Sequence, residues 1–461
     1  MRKNGNLKLK IILFPVIFFG VLGFAKISLA ANYYVSPSGN DSNPGTQTQP
    51  WQTIQKSANT MITGDTVYVQ AGTYNETVAP SNSGTSGNII SYIAQGAAKV
   101  RKWVINSKDY ILLDRFANDG TYNYGNYIFV VSIIGTSNHV TMQNFNLSMP
   151  NDTSCSNQSG FVQTGPDTSY ITITGNTLSG SCYYPAVNPM GSHNTYSNNV
   201  LTELWTDGFQ TGGPFSDSTI SGNTIGDFHI IGLHNDCFQV FGDGGDDTTN
   251  IIFENNICKN GDQPFFLTKD IADTTGITIR NNIFYNFAGD GGISIPGTVI
   301  YNNVFWRVGF DKAVAISLST NTSLTAGDEI KNNFFIGCGD GVQTPDYGAG
   351  YDRPYTETGS SNNYYAKSPT AAIPWGTQYF STPEPNYING GNPVFVNYTN
   401  NDFHLQATSP AKDRGTTISS FATDKDGITR PQGSAWDIGA YEYVGAPDTT
   451  PPAAPTGVTI L

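Results

Sequence analysis

Charge is what this sequence has least of. Asp, Glu, Lys and Arg make up 13% of its 461 residues, about half the share usual in soluble domains, which excludes a charged coiled coil and a charge-rich disordered chain. Basic residues are the scarcer kind, 23 against 36 acidic, for a formal charge of −13. With no phosphate-neutralising surplus, no nucleic-acid partner is expected. The five cysteines (Cys155, Cys182, Cys237, Cys258 and Cys338) form no CxxC or Cys/His spacing that would hold zinc. A Cys155 to Cys182 disulfide and free buried thiols both remain open. Apolar residues three and four apart over ten or more positions are missing, which excludes a helical solenoid.

Only one long apolar run exists, Ile11 to Phe24, and its 14 residues fall short of the ~20 needed to span a bilayer. It follows Arg2, Lys3, Lys8 and Lys10 and precedes Ser28-Leu29-Ala30, the pattern of a secretory signal cleaved after Ala30. A secreted or cell-surface bacterial protein with no membrane partner after cleavage is therefore expected. Residues 1–30 contain five basic residues and no acidic one, so the remainder carries 18 basic against 36 acidic residues, or −18.

What the chain has in abundance is Gly (50 residues), aromatics (12%) and short strand-like runs that end in Asn. These runs end at Asn144, Asn176, Asn199, Asn223, Asn256, Asn282, Asn303, Asn333 and, more weakly, Asn363, in steps of 32, 23, 24, 33, 26, 21, 30 and 30 residues. Two-residue alternation, as at Ile277, Ile279 and Ile283, gives each unit one apolar face that a neighbouring unit must cover. Such units stack about 4.8 Å apart. At the bend after each strand, Asn tolerates a left-handed backbone and can bond to the same amide one coil above. The fold expected is all-β, a parallel β-helix, and the Asn ladder is structural.

This repeat resembles the right-handed parallel β-helix superfamily that includes pectate lyases and many secreted bacterial carbohydrate-active proteins. The segments Tyr33-Tyr34-Val35-Ser36-Pro37, Pro50-Trp51-Gln52-Thr53-Ile54 and Gly64-Asp65-Thr66-Val67-Tyr68-Val69 resemble the first coil and N-terminal capping helix of such proteins, which implies core positions for Trp51 and Ile54. Asp402-Phe403-His404-Leu405, Asp424-Lys425-Asp426-Gly427 and Asp437-Ile438-Gly439-Ala440-Tyr441-Glu442 resemble the closing motif of bacterial β-helix proteins. There a local Arg430–Asp437 ion pair is expected. Residues 31–444 are then one solenoid and 445–461 a Pro-rich linker, in which Thr456 to Leu461 resembles the first strand of a truncated fibronectin type III module. A monomer is expected.

Candidate chemistry concentrates between residues 203 and 270. Asp207-Gly208-Phe209-Gln210 and Asp236-Cys237-Phe238-Gln239 share a pattern whose alternation places Asp on the face of Phe and Gln on the other. Around them lie Glu203, Trp205, His229, His234, Asn235 and Lys269-Asp270. Carboxylates, amides, His, Lys and aromatics on stacked coils suit sugar recognition. His139, His193 and His404 have no comparable neighbours in sequence.

Three readings are open. Polysaccharide lyases use Lys or Arg as a base and often Ca²⁺ to neutralise the uronate. Family 9 lyases, a distant resemblance, hold calcium with Asp-Asp-Gly-Phe-Asp and place the base in a Phe-Lys-Leu run. Here Asn235-Asp236-Cys237-Phe238-Gln239 and Phe265-Phe266-Leu267 keep only Asp236 of those groups. Lys269 is the candidate base, His234, Asp236 and Asp207 are further catalytic candidates lining the groove, and Trp205, Gln210, Gln239 and Asn235 are substrate-binding candidates. A glycoside hydrolase would need paired carboxylates, for which Asp207 and Asp236 are the candidates. The third reading is a non-catalytic carbohydrate-binding or adhesion protein. The loop Asp243-Gly244-Gly245-Asp246-Asp247 offers Asp243, Asp246 and Asp247 as ligands for Ca²⁺. The polysaccharide partner, if a uronate, should require such a cation, since the chain is itself acidic; without one a neutral glycan is the better match.

Overall fold

The computed structural model describes residues 30–118, 128–149, 159–181, 184–229, 234–241, 248–267, 275–309, 315–318, 327–338, 342–343, 361–366 and 384–445. The expected signal segment, Cys155, Cys182, the loop of Asp243, Asp246 and Asp247, Lys269 and the fibronectin-like tail lie outside the described residues.

The strands form a parallel β-helix whose coils each contribute to three sheets. The first sheet holds Val140–Gln143, Thr172–Thr174, Thr195–Ser197, Phe215–Ser221, Thr248–Glu254, Thr275–Arg280, Val299–Tyr301 and Glu329–Lys331, paired in parallel. The second begins after the Asn bend and runs from Asn146–Ser148 through Thr177–Ser179, Val200–Thr202, Thr224–Gly226, Ile257–Gly261, Ile283–Phe287, Val304–Val308 and Phe334–Ile336 to Tyr364–Ala366. The third includes Ser159–Thr164, Val187–Asn188, Phe209–Thr211, Asp236–Val240, Gln263–Leu267, Gly291–Ile293 and Ile316–Leu318. Inside, equivalent residues stack in columns. Phe284, Phe305, Phe335 and Tyr365 lie ring on ring with centroids 5.0, 5.0 and 5.3 Å apart, the spacing of adjacent strands.

The Asn ladder exists, and it divides two tasks between two residues. Buried Asn223 donates its backbone N–H and its Nδ2 to Asn256 Oδ1 at 2.8 and 3.0 Å, and Nδ2 also donates to Tyr196 O of the preceding coil at 3.0 Å. The same transfer to the next coil's Oδ1 links Asn176, Asn199, Asn223, Asn256, Asn282, Asn303, Asn333 and Asn363. The left-handed residue is the one before each of these: Gly175, Asn198, Gly222, Asn255, Asn281, Asn302, Asn332 and Asn362 all have φ between 53° and 66°. Asn144, read from sequence as the first ladder member, belongs to this left-handed set, with φ 57°. The ladder position of its coil is Phe145, whose N–H donates to Asn176 Oδ1 at 2.8 Å. The other end is Glu384, which accepts from the N–H and Nδ2 of Asn363 and from the Tyr365 hydroxyl. A carboxylate suits that end because each ladder residue gives its N–H and one Nδ2 hydrogen to the next ladder oxygen, so the last pair of donors needs only an acceptor.

Near the N-terminus a seven-residue helix, Ile54–Thr60, is capped by the Thr53 side chain and buries Ile54, Ser57 and Ala58. Trp51 is also buried. The C-terminal segment docks along the left-handed column of the last coils. Asn281 Nδ2 donates to Thr423 O, Asn302 Nδ2 to Asp437 O, Asn332 Nδ2 to Thr416 O and Asn362 Nδ2 to Arg414 O. Fully buried Arg430 pairs with Glu442, not with the expected Asp437 carboxylate, at 2.7 Å. Asp437 gives Arg430 only its backbone carbonyl, at 3.3 Å, because its carboxylate accepts the N–H groups of Asp413 and Tyr443. Among the described residues, no helix is long and apolar enough to cross a membrane.

The two Asn tasks give opposite mutational outcomes. Asn223→Ala orphans the buried N–H and Nδ2 of Asn199 and should lower the unfolding free energy by about 2–4 kcal/mol. Asn198→Gly, at an exposed left-handed position, should change it by less than about 0.5 kcal/mol. Urea denaturation compares the two, and equal losses would contradict the division.

Candidate functional site

At the start of the third sheet the chain turns a corner, and the corner changes which way side chains point. Cys237 places Sγ 3.9 Å from Ile225 O in the interior, and the adjacent Phe238 stacks on interior Phe253 at 5.3 Å. Two consecutive residues therefore face inward, and the alternation expected to put Asp236 on the Phe238 face is broken. Asp236 turns instead toward His234 of its own coil, with Nδ1 to Oδ2 at 3.2 Å. Asp207, one coil earlier, accepts the Asp236 N–H at 2.8 Å.

The two carboxylates are thus adjacent, but they do not line an open groove: Asp207 is 2% and Asp236 0% exposed. The exposed member is His234, whose side chain is 45% accessible. Beyond the His234 contact neither Asp236 oxygen meets a further hydrogen-bond donor among the described residues, and the buried Oδ1 of Asn235 has none. Burial and the Asp236 charge hold Asp207 well above the usual carboxylate range. Burial pushes Asp236 up to about 6, against the opposing bond and charge of His234. The bond to Asp236 lifts His234 to about 9, against its own partial burial. Burial thus favours the protonated form of Asp207, while Asp236 favours the imidazolium form of His234 at the surface.

The surrounding residues fall into three groups. Asn235 Nδ2 donates to Trp205 O at 3.1 Å. The Trp205 ring stacks on His229 at 4.5 Å, and His229 Nε2 lies 2.8 Å from Glu203. On the outer face of the third sheet, Gln210 pairs in register with Gln239 and Gln239 with Phe266, and the Gln210 amide donates to that of Gln239. From the next coil, Asp262 accepts the His234 N–H at 3.1 Å, and Phe266 meets the His234 ring edge-on at 4.6 Å. Asp262 was missed in the sequence because it belongs to no repeated pattern. Among the described residues no group of three His, Cys, Asp or Glu is placed to hold a metal ion.

The other histidines have company that the sequence did not suggest. His139 and His193 alternate with Tyr110 and Tyr170 in a stacked column, with centroids 4.5, 4.8 and 4.9 Å apart. His404 lies between Asp402 and Asp426 at 2.6 and 2.8 Å and stacks on Tyr441. Cys237, Cys258 and Cys338 are free and buried.

Comparison with known proteins supports the architecture. A family model described as "Protein of unknown function (DUF1565)" matches residues 37–80, which contain the short helix and the strand Thr66–Val78 and do not reach His234. The uncharacterized protein YwoF of Bacillus subtilis (strain 168) is 41% identical over 59 residues, 13% of this chain and 13% of YwoF. The shared stretch therefore covers about an eighth of that relative. The structure of XylC with xylose superposes with a TM-score of 0.50 at 11% identity, covering 90% of this chain and 98% of XylC. Pectate lyase Pel9A gives 0.43 at 17% identity, over 90% and 97%. This chain has the parallel β-helix fold.

The cluster makes a pH-dependent contribution whose sign is fixed. His234 is raised from 6.5 to about 9 in the folded state, so its stabilisation is complete below pH 6.5 and is lost as pH rises through 9. Histidine-selective NMR should show His234 titrating near 9. The stability of the wild type relative to His234→Gln should fall across that window, and a midpoint near 6.5 would contradict the ion pair.

Proposed function

We propose that this chain is an exported carbohydrate-active protein that cleaves an anionic extracellular polysaccharide by β-elimination. The observation that carries the reading is the half-exposed imidazole of His234, held against buried Asp236, which in turn bonds to buried Asp207 at the edge of the third sheet. A surface cation whose counter-charge is buried beneath it suits a substrate carboxylate, and it can also deliver a proton to a departing sugar oxygen. In the reaction a base takes the proton alpha to the uronate carboxylate, the C–O bond to the leaving sugar breaks, and a carbon–carbon double bond remains. Lys269 is the proposed base. Trp205, the Gln210–Gln239 pair and Phe266 supply the ring faces and amides that sugar hydroxyls and C–H faces require.

The burial of Asp207 and Asp236 favours this reading over hydrolysis, because a glycosidase needs both carboxylates at the scissile bond. Calcium at Asp243, Asp246 and Asp247 would screen the acidic chain from an acidic polymer, so chelation belongs in the test. The protein should release products absorbing near 235 nm from a uronate polymer, with loss of rate in EDTA and restoration by Ca²⁺. His234→Ala should lower kcat/KM about a hundredfold. Reducing ends without that absorbance would establish hydrolysis, and retention on polymer without cleavage would establish a binding protein; either result would overturn the proposal.

A further inference from the structure

His234 stands in a backbone conformation that a side chain of its size rarely adopts. Its φ is 63°, in the left-handed region, where the Cβ crowds the following carbonyl oxygen. Tyr110, His139, Tyr170 and His193 share it in one stacked column, and the Asn and Gly that precede the ladder share it at the repeated bend. His234 is left-handed immediately before the third-sheet strand Asp236–Val240, next to the buried carboxylates. Strain at such a point persists only where neighbouring groups over-determine it.

The next coil supplies that restraint. The His234 N–H donates to Asp262 Oδ2 at 3.1 Å. Asp262 is fixed in turn, since its own carbonyl accepts the Gly289 N–H at 2.6 Å. The strand that follows, Gln263–Leu267, carries Phe266, which meets the imidazole edge-on at 4.6 Å with the rings 88° apart. Asp262 therefore grips the His234 backbone while Phe266 and Asp236 bracket its ring.

We propose that Asp262 is a positioning residue: its carboxylate oxygen holds His234 in the left-handed conformation that keeps the imidazole over Asp236 and turned to solvent. This rests on the reading of His234 as the substrate-facing group. Asp262 acts as an acceptor for one N–H, with its charge also favouring the imidazolium form, and it does not touch the substrate. A side chain that keeps an acceptor oxygen at the same place can replace it, and one that lacks the oxygen cannot.

Asp262→Asn and Asp262→Ala separate these cases. The chain has five histidines, so a histidine-selective spectrum is simple, and the resonance absent in His234→Gln identifies His234. In the wild type its ring protons should carry a ring-current shift from Phe266, and its amide should be protected from exchange. Asp262→Ala should move the ring shift toward the random-coil value and remove the amide protection, while Asp262→Asn retains both. On polymer, Asp262→Ala should lower kcat about tenfold or more with KM changed less than about twofold, and Asp262→Asn should restore kcat to within about threefold. An unchanged His234 spectrum in Asp262→Ala overturns the proposal, as does a ring displaced equally in both variants. Because the spectra need no substrate, a wild type that cleaves nothing defeats the lyase reading while leaving the positioning role measurable.

Discussion

One hydrogen-bond chain sets the geometry of everything else in this protein. A solenoid coil has to turn after its first sheet, and the turn buries a peptide N–H that has no partner in its own coil. The ladder Asn solves this by placing one amide oxygen against two donors of the preceding coil, its backbone N–H and its Nδ2. Removing any member strands donors on its neighbour, and a stranded buried donor costs about 1–3 kcal/mol. The amide therefore repeats while the steps between its members range from 21 to 33 residues. Insertions are absorbed elsewhere in the coil, and the strand register on both sides of the ladder is preserved.

That tolerance explains where the candidate site is found. The first two sheets are joined by a fixed bend, so they vary little from coil to coil. The path from the second sheet to the third varies in length, and there the chain departs from alternation. Cys237 and Phe238 both turn inward, Asp236 is displaced to the corner, and His234 takes a left-handed conformation above it. The same corner brings together Trp205, His229 and Glu203 from neighbouring coils. A regular scaffold holds an irregular edge, and the buried carboxylates with unmet hydrogen-bonding capacity lie on that edge.

The parts of the molecule that repeat were legible in the sequence, because each coil must solve the same problem with the same residue. The Asn positions from Asn176 to Asn363 could be read in this way. The mistakes occurred where two tasks share a dipeptide or where a contact crosses coils. Asn144 looked like a ladder residue because one Asn stands where most later bends have two, and its ladder position is held by Phe145. Arg430 was matched to Asp437 by proximity in sequence, yet burial gave it Glu442. The column of Tyr110, His139, Tyr170 and His193 left a signal that could have been followed: in four successive coils an aromatic ring stands one or two residues before a strand. Asp262 left no such trace, because its importance depends on a single N–H one coil away.

The direction of the Asn chain bears on how a protein of this kind can change its length. Every ladder amide gives its N–H and one side-chain hydrogen to the next coil's ladder residue, and the Glu384 carboxylate receives the last of them. An extra coil appended beyond Glu384 would meet a carboxylate where the ladder otherwise offers an amide side chain that can donate. A coil duplicated between two ladder residues, for example the stretch from Val200 to Asn223, would be accepted by both neighbours with every bond intact. Growth by internal duplication is thus built into the polarity of the ladder, and the rod can lengthen in whole turns while its two ends and the corner that carries His234 keep their chemistry.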